Sequence, residues 1–157
     1  MDNIINGLSI VATPIGNLDD ITYRAVKVLE ECDIIICENP KHSLKLLNKL
    51  GIKKKLIALH DYNEHKILNQ IKNLLKSKNC VLISDAGSPL ISDPGYKLVQ
   101  YCIQNNISIT SLPGPSSIIS SLQLSGLPIS EFAFFGFVPK TKKKMENLIN
   151  DISLEKK

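Results

Sequence analysis

The sequence predicts an α/β domain in three layers, with a mainly parallel sheet between two layers of helices. Short apolar runs rich in Val, Ile and Leu alternate with longer amphipathic stretches, which is the pattern of repeated β-α units. The apolar runs are largely continuous, as is typical of strands buried on both faces of a parallel sheet. The length of 157 residues suits one such domain.

The elements are expected in β-α order. Strands are predicted at residues 8–12, 33–37, 55–59, 80–84 and 107–111, and the apolar run 132–138 is a candidate sixth strand. Helices are predicted at 19–31, 43–50, 64–76, 96–105, 116–124 and, in a Lys-rich segment, 141–152.

Local signals support these helices. The third one carries its apolar residues at the helical spacing of 3.6: Ile67, Leu68, Ile71, Leu74 and Leu75. Gly51 ends the second helix. Asp93, directly before Pro94, is interpreted as the N-cap of the fourth helix.

Charge is distributed unevenly along the chain. The net charge is +4; up to Pro139 there are 13 basic and 12 acidic residues, and from Lys140 onward there are 6 basic and 3 acidic. Residues 1–139 are nearly neutral and contain no Trp. By itself this part of the chain is a poor nucleic-acid binder, because phosphate contacts supply most of the affinity for nucleic acids. The shift predicts a domain at 1–139 and a basic linker helix at 140–157.

Composition also indicates the cellular compartment. No apolar run approaches the length of a membrane span and no signal peptide is readable, so we expect a cytoplasmic protein without membrane contact. The cysteines form no CxxC pair and are interpreted as reduced thiols that bind no metal: Cys32, Cys37, Cys80 and Cys102.

Polar, Gly and Pro residues follow each predicted strand. They occur in the segments 13–18, 38–42, 60–64, 85–89 and 113–117. Ligands bind at the carboxyl ends of strands in an open parallel sheet, and Gly-bearing loops there let a ligand approach backbone N–H groups. Neither GxxxxGK[ST] nor GxGxxG is present, so neither an NTPase nor a dinucleotide fold is supported.

Several titratable residues in these segments have two interpretations. His60 and His65 flank Glu64, but the spacing is not HExxH, so no zinc site is expected. His60 and Asp61 end an apolar strand. They either take a polar role at the edge where ligands bind or only form a hydrogen-bonded turn. Glu38 has either a polar role or a salt bridge with Lys41.

The motifs TPIGNLDDIT, ALHDYNE, SDAGSPLISDPGY and LPGPSS occur in this order. With them the chain resembles, from about residue 8 to 140, the ribosomal RNA small subunit methyltransferase I family of the tetrapyrrole methylase superfamily. The resemblance implies the first of two α/β domains, with a five-stranded parallel sheet. It implies 2′-O-methylation of a cytidine in small-subunit ribosomal RNA, with S-adenosylmethionine as methyl donor in a cleft between the domains.

The implied site draws on several loops. S-adenosylmethionine needs N–H donors and some acidity, and we expect it at Pro14, Gly16, Asn17, Asp85, Gly87, Ser88, Pro89, Gly114, Ser116 and Ser117. Methyl transfer to a ribose hydroxyl benefits from a general base. Glu38, Asp61 and Asp85 are the candidates, and the residues alone do not choose among them. No metal is required.

The chain departs from the family in two places. Asn39 and Lys41 stand where the family typically has Asp and Arg, which weakens a substrate-handling role there. The family continues into a second domain, whereas this sequence ends at Lys157. A non-catalytic remnant, or a fragment that forms a homodimer, is therefore an alternative. A methylase of tetrapyrrole precursors is a weaker one, which the TPIGN loop disfavours.

Overall fold

Five strands form one sheet in the described part of the chain, close to the predicted runs. A computed structural model describes residues 7–60 and 63–154. Strands β1 to β5 are Gly7–Val11, Ile34–Cys37, Lys55–Ala58, Asn79–Ile83 and Ser108–Leu112. They lie in the order β3-β2-β4-β1-β5, and every neighbouring pair is parallel. The predicted five-stranded parallel sheet is confirmed.

Six α-helices accompany the sheet among the described residues. Helices α1 to α6 are Tyr23–Glu31, Pro40–Lys49, Glu64–Leu74, Tyr96–Gln104, Ser117–Leu124 and Lys142–Leu154. The chain divides into two units, residues 1–117 and 118–157. The sheet and helices α1 to α4 belong to the first unit.

Two buried clusters cover the two faces of the sheet. One joins Leu29 of α1 and Leu47 of α2 to strand residues such as Ile35. The other joins Ile71 of α3 and Leu98 of α4 to the alternate strand residues. Successive strand residues point to opposite faces, and because both faces are covered in the centre of the sheet, β2 and β4 are buried and apolar almost throughout. The predicted three-layer architecture is confirmed.

The positions of the helices create a crevice at the carboxyl ends of β1 and β4. These strands are neighbours, yet the chain leaves β1 through α1 and leaves β4 through α4, which pack on opposite faces. The carboxyl ends of adjacent parallel strands whose helices lie on opposite faces are the usual ligand position in an open α/β sheet.

Capping residues move several helix starts away from the predictions. Helix α2 begins at Pro40, three residues early, because the Asn39 side chain accepts hydrogen bonds from the N–H groups of Lys41 and His42. The predicted first helix is interrupted after a 3₁₀ turn at Leu18–Asp20, and Thr22 caps α1.

The interpretation of Asp93 as an N-cap is wrong. Helix α4 begins at Tyr96, and its N-cap is Gly95 at φ +119, a conformation that glycine adopts without a Cβ penalty. A Cβ at Gly95 would lie 3.0 Å from Leu82 Cδ2, so close packing against β4 also favours glycine. Asp93 therefore belongs to the loop between β4 and α4.

The candidate sixth strand at 132–138 is also wrong. Within the second unit these residues have no strand pairing, and Gly136 has a left-handed φ of +76 that interrupts an extended backbone. Their apolar side chains are largely exposed, with Phe137 at 85% and Phe134 at 53%. Apolarity alone therefore did not specify a strand here.

All four cysteines are buried and free, as predicted for reduced thiols. Burial raises the pKa of Cys32 and of Cys102 to about 11 and that of Cys80 to about 12, and it also raises the pKa of Cys37. The thiolate is the reactive form, so burial protects these side chains both sterically and chemically.

We therefore expect the folded chain to resist thiol reagents. Ellman's reagent at pH 8 should modify less than one thiol per native chain within minutes, and all four in denaturant, since the thiolate fraction of Cys80 at that pH is only ~10⁻⁴. A thiol that reacts in the native chain at the rate of free cysteine would contradict this assignment.

Candidate functional site

The loops after β1 and β4 are joined by a pair of backbone hydrogen bonds. The Thr13 N–H donates to the Gly87 carbonyl and the Gly87 N–H donates to the Thr13 carbonyl, both at 2.9 Å. The Thr13 hydroxyl donates to the Ser84 carbonyl at 3.1 Å, and the Ser84 hydroxyl donates to the Gly87 carbonyl at 3.0 Å. Both hydroxyl residues are buried. This bonding fixes the two loops against each other.

The loop after β5 meets the same junction. The Ser88 hydroxyl donates to the Pro115 carbonyl at 3.4 Å. A Cβ at Gly114 would lie only 2.9 Å from the Ala12 Cβ, and Gly87 has φ +78. The structure thus brings together four predicted cofactor residues from three loops: Pro14, Gly87, Ser88 and Gly114. Glycine is needed at both positions for the three loops to pack this closely.

A Gly114→Ala substitution tests how tightly the three loops pack. We expect it to lower the free energy of unfolding by about 1–3 kcal/mol, because the new methyl group would overlap the Ala12 side chain. The double variant Ala12→Gly/Gly114→Ala should recover part of this loss.

Urea unfolding measures these variants, and Gly16→Ala is the matched control. A Cβ at Gly16 would meet nothing within 4 Å, so this variant should stay within about 0.5 kcal/mol of the wild type. Equal losses for Gly114→Ala and Gly16→Ala would refute the packing argument.

A pocket of about 360 Å³ lies at the carboxyl ends of β1 and β4, beside the start of α2. Three predicted site residues line it: Pro14, Gly16 and Asp85. Residues that the sequence argument did not assign to the site also line it: Thr13, His42, Ser43, Lys45 and Ser84. The early start of α2, which Asn39 caps, places His42, Ser43 and Lys45 in its first two turns.

Asp85, a half-buried residue, is the acidic group of this pocket. Its Oδ1 atom is inaccessible to solvent and has no hydrogen-bond partner among the described residues. An unsatisfied buried carboxylate oxygen is costly, and such groups concentrate at functional sites. The pocket therefore presents an acceptor that a ligand N–H or O–H can satisfy.

Asp93 lies near this acceptor. Burial raises the pKa of Asp93, a hydrogen bond with Ser84 opposes the rise, and the negative charge of Asp85 adds to it. The nearby negative charge of Asp85 therefore disfavours the ionised form of Asp93.

The raised pKa gives Asp93 a pH-dependent effect on stability. A carboxyl whose folded-state pKa exceeds its unfolded value is protonated more readily when folded, so folding loses stability as pH rises through that interval. We expect Asp93→Asn to raise the thermal unfolding midpoint at pH 7, with a gain that shrinks towards pH 4. Asp20→Asn, at an exposed carboxylate, is the control, and a lower midpoint for Asp93→Asn at pH 7 would contradict the prediction.

The remaining predicted site residues lie in other places. Glu38 directly follows β2 and does not line the pocket. The Asn17 side chain accepts a hydrogen bond from the Asp19 N–H and caps the 3₁₀ turn. Pro89 is buried, and Ser116 and Ser117 stand at the start of α5. Asp61, a candidate base, lies outside the described residues.

At His60 the backbone forms the hydrogen-bonded turn that was one of its two interpretations. The His60 N–H donates to Asn63 Oδ1 at 2.9 Å, and the Asn63 amide donates to the Ala58 carbonyl at 2.9 Å. In residues 7–60 and 63–154 there is no group of three His, Cys, Asp or Glu side chains that could hold a metal ion. In the same residues no helix is long and apolar enough to cross a bilayer.

Comparison with known proteins agrees with the fold and the loop motifs. The sequence profile of the tetrapyrrole (corrin/porphyrin) methylases matches residues 7–153. The chain belongs to this family. The junction of the β1, β4 and β5 loops and the neighbouring pocket are therefore features of a tetrapyrrole methylase domain.

Its relatives in this family include proteins named ribosomal RNA small subunit methyltransferase I. The one from Rickettsia prowazekii is 50% identical over 150 residues, which cover 92% of this chain and 54% of that protein. The one from Thermotoga maritima is 47% identical over 138 residues, covering 87% and 62%. The resemblance read from the motifs is confirmed, and the chain spans a little more than half the length of these relatives.

Solved structures share the fold of this tetrapyrrole methylase domain. Diphthine synthase matches with a TM-score of 0.61 and 17% identity, over 80% of this chain and 51% of that one. The uroporphyrin-III-C-methyltransferase of Thermus thermophilus matches with a TM-score of 0.56 and 21% identity, over 80% and 54%. At these identities the likeness concerns the fold alone.

Proposed function

We propose that the chain supplies the sheet domain of an S-adenosylmethionine-dependent methyltransferase that acts on a ribose 2′-hydroxyl of a cytidine in small-subunit ribosomal RNA. The junction of the β1, β4 and β5 loops carries this proposal. It packs three loops together at Gly87 and Gly114, next to a pocket with an unsatisfied carboxylate oxygen. The names of the relatives supply the substrate class.

The residues at the junction fit the proposed cofactor. S-adenosylmethionine supplies an electrophilic methyl group when bound. Glycine at positions 87 and 114 lets the three loops that would surround it pack together, since Gly87 has a positive φ and a Cβ at Gly114 would overlap Ala12. Ser116 and Ser117 add hydroxyl donors, while Ser88, Pro14, Gly16, Asn17 and Pro89 shape the surrounding loops. We propose that these residues hold the cofactor without any metal.

The acceptor side needs a group that receives the hydroxyl proton. Of the two candidate bases that the structure describes, Asp85 lines the pocket and Glu38 does not, so we propose Asp85 as the base. A carboxylate that accepts a hydrogen bond from the hydroxyl orients the oxygen in line with the methyl group and takes up its proton. The transfer breaks the sulfur–methyl bond, forms the oxygen–methyl bond and leaves the proton on the carboxylate.

Further proposals concern organisation and partners. We propose a methylase domain at 1–139 and a basic linker helix at 140–157, supported by the start of α6 at Lys142. The partner is small-subunit ribosomal RNA and the location is the cytoplasm. Exposed aromatic side chains in the second unit, such as Phe134 and Phe137, favour the alternative of a homodimer formed through a surface that would otherwise be covered.

The test is transfer of tritium from labelled S-adenosylmethionine to 30S subunits. The enzyme should be this chain joined to the second half of a relative. Label that maps to a 2′-oxygen of cytidine supports the proposal. Label on a nucleobase, or transfer to a tetrapyrrole precursor and none to RNA, would contradict it.

A further inference from the structure

The lining of the pocket differs chemically from the glycine junction beside it. Gly87 and Gly114 belong to the junction and do not line the pocket. The pocket has an apolar part that includes Ile83 and Leu46, and it carries the charged side chains of Lys45 and Asp85. A cavity of about 360 Å³ is within the ~300–1,000 Å³ range of small-molecule sites.

Lys45 is the cation of this pocket. It has no ion-pair partner in the described part of the chain, whereas Lys49, one turn later in α2, is paired with Asp19. His42 lines the pocket from the preceding turn. An unneutralised ammonium group and an imidazole beside a cavity favour an anionic ligand such as a phosphate.

Charge distinguishes the two ligands of the proposed reaction. S-adenosylmethionine carries an ammonium, a sulfonium and one carboxylate, so its net charge is positive and Lys45 disfavours it. A nucleotide is an anion, which Lys45 favours, and like S-adenosylmethionine it carries ribose hydroxyl donors. Asp85 Oδ1, buried and without a partner, accepts from such a hydroxyl, and a phosphate group cannot satisfy it because it has no proton to donate at neutral pH.

We infer that this pocket is the subsite of the acceptor nucleotide and that the cofactor lies at the glycine junction beside it, with Lys45 directed to a phosphate and Asp85 to the ribose 2′-hydroxyl. The inference rests on the proposed function and adds a division of the site. It makes Lys45 a substrate-binding residue, and it assigns the pocket residues Pro14 and Gly16, together with Asp85, to the acceptor and not to the cofactor.

The test uses ¹⁵N-labelled chain and follows amide chemical shifts during separate titrations. The probes are cytidine 5′-monophosphate, its 2′-deoxy analogue and S-adenosylhomocysteine. We expect cytidine 5′-monophosphate to shift the amides of Gly16, Lys45 and Ala86. The 2′-deoxy analogue should bind about tenfold more weakly, because it leaves Asp85 Oδ1 unsatisfied. S-adenosylhomocysteine should instead shift Gly87 and Gly114.

Variants assign the contacts. Lys45→Ala and Asp85→Asn should each weaken cytidine 5′-monophosphate binding severalfold, while Lys49→Ala, in the same helix, should leave it unchanged. Equal binding of the ribo- and deoxynucleotide, or equal effects of Lys45→Ala and Lys49→Ala, would overturn the assignment.

The same titrations separate this inference from the proposed function. If S-adenosylhomocysteine shifts the pocket amides and the nucleotide shifts none at 20 mM, the pocket belongs to the cofactor and the inference is wrong, while the methyltransferase proposal stands. If the nucleotide shifts the pocket amides and S-adenosylhomocysteine shifts no amide of the chain, the acceptor subsite is supported and the proposed cofactor site at the glycine junction is wrong.

Discussion

Asp85→Asn should reduce methyl transfer to 30S subunits by about 10²- to 10⁴-fold, the usual contribution of a positioned general base. The variant should be tested in this chain extended by the second half of a relative. Asparagine is nearly isosteric but does not take up a proton at neutral pH, so the hydroxyl would lose its base. Binding of S-adenosylmethionine, measured by calorimetry, should change by less than about threefold because the glycine junction is untouched.

Asp93→Asn is the matched control for this experiment. Asp93 lies in the same loop and interacts with Asp85, yet it does not line the pocket. The control variant should therefore retain most of the transfer rate. A fully active Asp85→Asn variant would remove Asp85 from the reaction and return the choice to Glu38 and Asp61.

The sheet could be predicted because each strand is specified locally. Ile34, Ile35 and Ile36 are consecutive β-branched residues that are all buried, and such a run suits only a strand covered on both faces. The Gly and Pro residues that follow the strands indicate that ligands bind at the carboxyl ends of the strands. Pro14, Gly87, Ser88 and Gly114 were assigned to one site on that basis, and the structure brings them together.

The pocket was harder to predict because its walls come from separate parts of the chain. Lys45 and His42 lie beside the β1 and β4 loops only because β2 and its helix are placed next to β4. That strand order, β3-β2-β4-β1-β5, is a tertiary property that no local pattern encodes. A lysine in an amphipathic helix is usually a solvated residue, so its sequence context carried no signal.

Local capping explains a second group of differences. The sequence predicts that Asn39 weakens a substrate-handling role, but its side chain accepts hydrogen bonds from the N–H groups of the first turn of α2. Asparagine and aspartate both cap helices well, so the replacement preserves the start of the helix that carries Lys45. The exposed run at 132–138 does not form a strand because it has no strand partner within its unit.

The isolated chain is expected to transfer methyl groups to 30S subunits at least about 100-fold more slowly than the same chain extended by the second half of a relative. Its body up to Pro139 has 13 basic and 12 acidic residues, so it lacks the excess of positive charge that holds RNA. The sites proposed for cofactor and acceptor lie side by side at one edge of a single sheet, and a small misplacement of the 2′-hydroxyl costs about 100-fold in rate. Tritium incorporation at saturating S-adenosylmethionine measures the rate of both forms, and the extended form carrying Asp85→Asn gives the background rate.

The basic residues from Lys140 onward favour RNA contact and work against this expectation. Equal incorporation by the isolated and extended forms would mean that the sheet domain alone binds both ligands and positions them for transfer.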